Sequence, residues 1–380
     1  MSKWLMVVVV AVLAVIAAAP ARAQPPTETA RAEAQAGAQA QPPDQPTAEK
    51  PAENAPASSL APRIAGSLDV SYNYNALQPV NGETLFHAYH VQHDTFLLNA
   101  AHLAVTGSGQ SLSYAVEVDL GSDAAVDSGD DDVDVQEAWV AYVSPRGLGV
   151  KAGKFVTYEG IEVIESGANP TISRGLLFGL AEPFTHVGAV VTYEIDDRFD
   201  VAGGVLNGWD VVADNNHGKT FVGKLGYTGD GSLVTASAYA GPEQADNSDD
   251  WRFSADVTGM MKLGTIDLWA QVNAGGEQGA AADGEGATWF GAGVQPVFHV
   301  SDSFAVGARG EVFRDADGAR TGVEQTIVNL TATPAYTVAA GLVVRAELCV
   351  DLSSEDVFAD DDGDPHGSQA LALGEVLYSF

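Results

Sequence analysis

The chain reads as all-β: a transmembrane antiparallel β-barrel of about 16 strands, preceded by a cleaved signal peptide and a disordered N-terminal linker. Three observations predict it. Apolar and polar residues alternate with period two through most of residues 63–380, so one face of each segment is greasy and the other polar. The connections between these segments alternate short and long, and residues 1–23 have the layout of an export signal. Outside the leader no run of 18 apolar residues occurs, which excludes a helical membrane protein. The formal net charge of -33 excludes nucleic acid as a partner, because duplex binding needs Lys and Arg to neutralise phosphates. A single cysteine, Cys349, excludes a disulfide-stapled domain and a zinc-finger array.

The elements follow in chain order. Lys3 supplies a positive start, Trp4 to Ala19 an apolar stretch, and Ala21-Arg22-Ala23 a small-x-small cleavage site. Residues 24–62 are rich in Ala, Pro and Gln, hold no aromatic side chain and show no periodic apolar face, as expected of a flexible periplasmic linker. The barrel occupies residues 63–380. Its outward faces carry Ile64, Leu68, Val70 and Tyr72; Leu112, Tyr114, Val116, Val118 and Leu120; Val187, Ala189, Val191, Tyr193 and Ile195; Ile266, Leu268, Ala270 and Val272; and Leu342, Val344, Ala346, Leu348 and Val350. Short turns are expected at 107–110, 144–147, 196–198, 229–231, 259–262, 301–302 and near Thr337. Long loops are expected near 75–94, 121–132, 159–184, 208–218, 241–250, 275–286, 314–322 and 352–366. Seven turns and eight loops join an even number of strands, which brings both barrel termini to the periplasmic side. Aromatic residues cluster at strand ends, Trp209, Trp251, Trp289, Tyr74, Phe96, Tyr158, Tyr239 and Phe313 toward the loops and Tyr142, Tyr193, Phe199, Tyr227, Phe298, Phe304 and Tyr336 toward the turns, as two interfacial girdles would.

The inward positions carry the chemistry. Glu117, Asp119, Lys151, Lys224, Arg309, Glu311, Arg345, Glu347 and Glu375 place both signs on one inner surface, which suits a transverse field across a polar lumen. The third long loop, from Glu159 to Glu182, is the longest and least polar. Folded inward, its Glu159, Glu162, Glu165 and Arg174 would form a constriction against Arg309, Glu311, Arg345 and Glu347. Acidic runs in other loops, among them Asp130, Asp131, Asp132, Asp360, Asp361 and Asp362, offer carboxylate oxygens to divalent cations, the one cofactor class these residues suit. They would also concentrate cations at the rim. His87, His90 and His93 with Asp94 are a candidate site for a transition metal, although an extended loop must bend to bring them together. No G-x-S-x-G motif occurs, and no triad is readable, so no enzyme is predicted.

From Gly153 onward the chain carries Gly153-Lys154-Phe155, Gly160, Glu162, Asn169, Arg174, Pro183, His186, Gly188 and Asn207-Gly208-Trp209. This series resembles the OmpL-like β-barrel porin family, which implies an outer-membrane barrel without naming its solute. The alternating Val376, Tyr378 and Phe380 resemble the last-strand signal read by the barrel-assembly machinery of Gram-negative bacteria. By the same resemblance the partners are outer-membrane lipids and lipopolysaccharide, with a homotrimer by likeness to general porins. The expected function is a cation-leaning diffusion channel for small hydrophilic solutes, and the competing expectation is a structural or adhesive barrel that does not conduct.

Overall fold

The computed structural model describes residues 60–129 and 131–380. The segments expected to be signal peptide (1–23) and linker (24–62) lie outside the described residues up to residue 59. The first eight barrel strands are β1 (Arg63–Asn75), β2 (Thr95–Ser108), β3 (Leu112–Leu120), β4 (Val133–Val143), β5 (Leu148–Val156), β6 (Thr185–Glu194), β7 (Phe199–Leu206) and β8 (Thr220–Gly229). Next come β9 (Ser232–Pro242), β10 (Trp251–Leu263), β11 (Ile266–Glu277), β12 (Ala287–Ser301), β13 (Phe304–Asp315), β14 (Gln325–Ala339) and β15 (Leu342–Ser353). A small hairpin, β16 (Phe358–Ala359) with β17 (Pro365–His366), decorates the last loop before β18 (Ser368–Ser379). Two short helices sit in loops, α1 (Ser122–Ser128) and α2 (Leu176–Leu180).

Sixteen strands, β1–β15 and β18, form one closed antiparallel barrel, as the alternation predicts. The ring closes where β18 returns to β1, with Leu68 opposite Tyr378 and Val70 opposite Val376. Closure leaves no row of unpaired backbone groups, the condition for a sheet to sit in hydrocarbon. The last-strand residues Val376, Tyr378 and Phe380 are all exposed on the outer surface. The eight long loops are L1 (76–94), L2 (121–132), L3 (157–184), L4 (207–219), L5 (243–250), L6 (278–286), L7 (316–324) and L8 (354–367).

Two details depart from expectation. The turn placed at 259–262 lies instead at 264–265, and Gly259 to Lys262 continue β10. A two-residue hairpin needs a residue with positive φ, and Gly264 adopts φ +67° there. The aromatic girdle at the turn ends is present, since Tyr142, Tyr193, Phe298 and Tyr336 are exposed. At the loop ends most of the expected girdle points inward: Tyr158, Trp209, Tyr239, Trp289 and Phe313 are buried within the barrel, while Phe96, Phe221, Phe253 and Phe290 face outward. The inward rings sit at or just beyond the loop ends of their strands, as expected, but on the opposite face, whereas Phe96 faces outward as the girdle requires. The cause is the apolar loop inside, which gives inward rings something to pack on.

Bulges reset the alternation locally. The β3/β4 register shifts between Glu117 and Asp119, so Gln136 and Glu137, adjacent in sequence, are both buried on the inner side. A second shift, between Asp69 and Val70 in the β1/β2 ladder, accompanies the burial of Asn99 and brings His102 against Asp119 of β3.

Candidate constriction site

L3 leaves β5 and turns into the barrel, where most of it is buried. Its apolar residues make the interior core. Leu176, Leu177 and Ala181 pack with Trp209, Trp289, Phe313 and Ile327. Ile164 and Phe178 pack with Tyr89 of L1, and Ile172 packs with Cys349, Leu371 and Leu373. An apolar loop is stable in a polar lumen only by burying such surface against inward apolar side chains.

The polar part of L3 is stitched to the wall almost strand by strand. The Tyr158 N–H donates to Tyr239 Oη at 2.9 Å, and Ser254 Oγ donates to Glu159 at 2.7 Å. Gln271 donates to Glu182 at 2.7 Å and Gln295 to Glu162 at 2.8 Å. Arg309 Nη1 pairs with Glu162 at 2.8 Å and donates to Thr171 Oγ1 at 3.0 Å. The Glu311 carboxylate accepts the Leu176 N–H at 2.6 Å, and Glu347 accepts the Ile172 N–H at 2.6 Å. Arg345 pairs with Glu375 while donating to the Asn169 carbonyl at 2.7 Å. Arg174 is folded back onto its own loop. It donates to the carbonyls of Val163 (3.0 Å), Ile172 (2.9 Å) and Ile164, and its guanidinium lies 5.0 Å from the Tyr89 ring centre.

The structure therefore brings Glu162, Arg174, Arg309, Glu311, Arg345 and Glu347 together around one loop, although Arg309 and Arg345 are only 3% and 5% exposed. They are clamps on L3, with almost no water on them. Glu159 is held by β10 and β11, and Glu165 accepts a hydrogen bond from Gln136 of β4, so neither faces Arg309 or Arg345 as expected.

The loop expectations need further correction. The four L1 residues proposed as a metal site go to separate partners. His87 Nε2 lies 2.8 Å from Asp351, His90 is buried near Asn99, His93 Nδ1 accepts the Asn75 N–H at 2.9 Å, and Asp94 accepts from Tyr72 Oη. Asp130 lies outside the described residues, and Asp131 and Asp132 are exposed. Asp360 accepts the N–H groups of Asp362 and Asp364 at 3.0 and 2.9 Å and meets His366 at 2.8 Å, so it shapes the loop tip. That His366 contact holds the Asp360 carboxyl below its ordinary pKa. Asp361 and Asp362 remain exposed.

The opposite wall, β2 to β8, joins residues that the alternation places inward, Asp119, Lys151 and Lys224, to partners that sequence reading missed, His102, Asp134, Lys154 and Asp200. Lys154 pairs with Asp134 at 2.9 Å, Lys224 with Asp200 at 3.0 Å, and His102 with Asp119 at 2.8 Å. Lys151 Nζ sits 4.7 Å from the ring centres of both Trp139 and Phe155. The side chains of Lys154, Lys224 and His102 are each 11% exposed and that of Asp200 is 29% exposed, whereas Asn273, Asn329 and Asp351 on the L3-covered wall are at 0%. Water thus reaches the ionised wall mainly on the β2–β8 side. Below L3, a cavity of about 150 Å³ is bordered by Gly167, Pro170, Gly307, Arg345 and Leu377.

Solved structures with the same fold include an anion-selective porin from Comamonas acidovorans (10% identity, TM-score 0.61, covering 84% of this chain and 99% of that one). The outer membrane channel DcaP of Acinetobacter baumannii is similar at 12% identity and TM-score 0.59, covering 84% and 97%. OmpF of Salmonella typhi in complex with daunomycin gives 12% identity and TM-score 0.57, again covering 84% and 97%. No curated protein matches the sequence. Of the motif residues, Phe155, Gly160, Glu162, Asn169, Arg174 and Trp209 belong to L3 or to the side chains it packs on. Residues 63–380 match the family described as "Putative beta-barrel porin-2, OmpL-like", and the chain belongs to that family of outer-membrane barrels.

Proposed function

We propose that the barrel is a passive pore for small hydrophilic solutes and ions, with L3 as its constriction and the β2–β8 wall as its conducting side. The observation that carries this reading is the asymmetry of the interior: L3 seals one wall, while the opposite wall keeps ionised side chains in contact with water. That wall holds Glu117, Asp119, Asp134, Glu137 and Asp200 against Lys151, Lys154, Lys224 and His102. Acids outnumber bases there and at the loop rims, so cations are concentrated along the path and anions repelled. The anion-selective neighbour differs in the sign of its preference, as a 10% identical barrel is free to do.

Planar-bilayer recording of the refolded protein tests the reading. A small conductance is expected, with a reversal potential of cation sign in a KCl gradient. Absence of channels would shift the assignment to a non-conducting structural barrel, a reading favoured by how little of the L3-side wall meets water. A homotrimer in detergent, resolved by light scattering, is the expected assembly, and divalent cations at the exposed acidic loops would bridge it to lipopolysaccharide.

A further inference from the structure

At the free wall, close to L3, one histidine stands among three carboxylates, Glu117, Asp119 and Glu165. His102 of β2 has its Nδ1 2.8 Å from Asp119 Oδ1. An ionised Asp119 can only accept, so Nδ1 carries a proton, and in the neutral form of the ring Nε2 is free to bind a cation together with Glu117 Oε2, 3.6 Å away. That gap is too long for a hydrogen bond. It is near the roughly 3.4 Å that separates two ligands each about 2.1 Å from a tetrahedral ion. A carboxylate oxygen of Glu165, from L3, lies within 4.8 Å of both.

A small cavity of about 10 Å³ adjoins the cluster, bordered by Asp69, His102, Asp119, Asp123, Gln136 and Glu165. Its buried oxygens are short of partners. Neither oxygen of Asp69 receives a hydrogen bond although the residue is 2% exposed, and Asp119 Oδ2 and Glu165 Oε2 are equally without donors. The nearby guanidiniums are occupied, Arg345 by Glu375 and Arg174 by loop carbonyls. Buried carboxylate oxygens without donors are costly, and a cation coordinated by them removes that cost.

We propose that His102, Glu117 and Glu165 bind one divalent transition-metal cation of the Mn²⁺ to Zn²⁺ kind. Asp119 orients the imidazole through Nδ1, the arrangement in which a carboxylate fixes the tautomer of a metal-ligating histidine. One imidazole with carboxylates suits these borderline ions better than Ca²⁺, which prefers oxygen alone. Because Glu165 belongs to L3 while His102 and Glu117 belong to β2 and β3, the ion pins the constriction loop to the free wall. The site stands whether or not the barrel conducts.

Equilibrium dialysis of the refolded full chain against Zn²⁺, with excess Ca²⁺ to occupy the exposed acidic loops, reads the site directly. One Zn²⁺ per chain is expected to survive the Ca²⁺ competition. Glu165→Gln and His102→Gln should each weaken it at least 10-fold, and Asp361→Asn with Asp362→Asn should leave it unchanged. Should His102→Gln not refold, Glu165→Gln alone decides, being a loop residue outside the sheet. No stoichiometric Zn²⁺ in the unmodified protein, as an imidazolium caught among carboxylates would give, overturns the proposal. Wild-type affinity in Glu165→Gln overturns it equally.

Discussion

Arg345 shows how much one buried cation holds. It pairs with Glu375 and also donates to the Asn169 and Ser166 carbonyls, so a single side chain joins β15, β18 and L3. Removing one member of a buried ion pair strands the other, at about 3–5 kcal/mol. Arg345→Met is therefore expected to destabilise the barrel by that order in urea unfolding, and Arg345→Met with Glu375→Met to recover most of the loss. His87 makes the matching case for L1. Burial alone would depress its pKa, but the charge of Asp351 and the hydrogen bond to it prevail and raise it to about 10. Since the folded value exceeds the ordinary 6.5, the His87 contribution is complete below pH 6.5, declines above it and is gone once pH passes about 10. Hydrogen exchange of L1 amides, corrected for the intrinsic pH dependence, should show protection falling through that window. Asp351→Asn should abolish the fall.

At the scale of elements, L3 is more than a connection. Its apolar turn α2 and its ladder of wall contacts make it the core of a barrel whose outer face belongs to lipid. Deleting residues 161–180 is expected to raise single-channel conductance several-fold, and an unchanged conductance would contradict the constriction role. The sequence made the strands and the existence of L3 legible, because a period of two and an unusually long apolar loop are local signals. What L3 touches was not legible. Glu162 and Arg309 are far apart in the chain, and only the barrel's register sets them at 2.8 Å. The bulge that buries both Gln136 and Glu137 likewise breaks the alternation on which inward and outward were assigned. The L1 histidines failed as a metal site for a related reason: equal spacing along a loop says nothing about which wall residue each imidazole will meet. Gly153, in the motif, has φ +139°, and a Cβ there would press on the backbone of Ala138 and Trp139, so this position in β5 requires glycine.

The chain carries a net charge of -33, yet among the described residues the outer surface is one of Leu, Val, Phe and Tyr, because the carboxylates there lie in the lumen and the connecting segments. The cation preference proposed for the pore should accordingly depend on ionic strength. The rim contribution is screened at 1 M salt, where the Debye length is about 3 Å, whereas charges beside L3 are shielded far less. The reversal potential is thus expected to shrink between 0.1 and 1 M KCl without vanishing or changing sign; a loss of selectivity at 1 M would place it wholly in the rim, and a change of sign would contradict a cation-preferring interior.

The placement of the L3 anchors has one more consequence, in time rather than space. L3 lies far in sequence from its anchors Gln295, Arg309, Glu311, Glu347 and Glu375, and the seam joins β1 to β18, where Gly66 and Phe380 exchange backbone hydrogen bonds at 3.1 and 3.0 Å. Closing contacts of such long sequence separation is slow. Seating the plug and closing the ring are therefore expected to be the last events of folding.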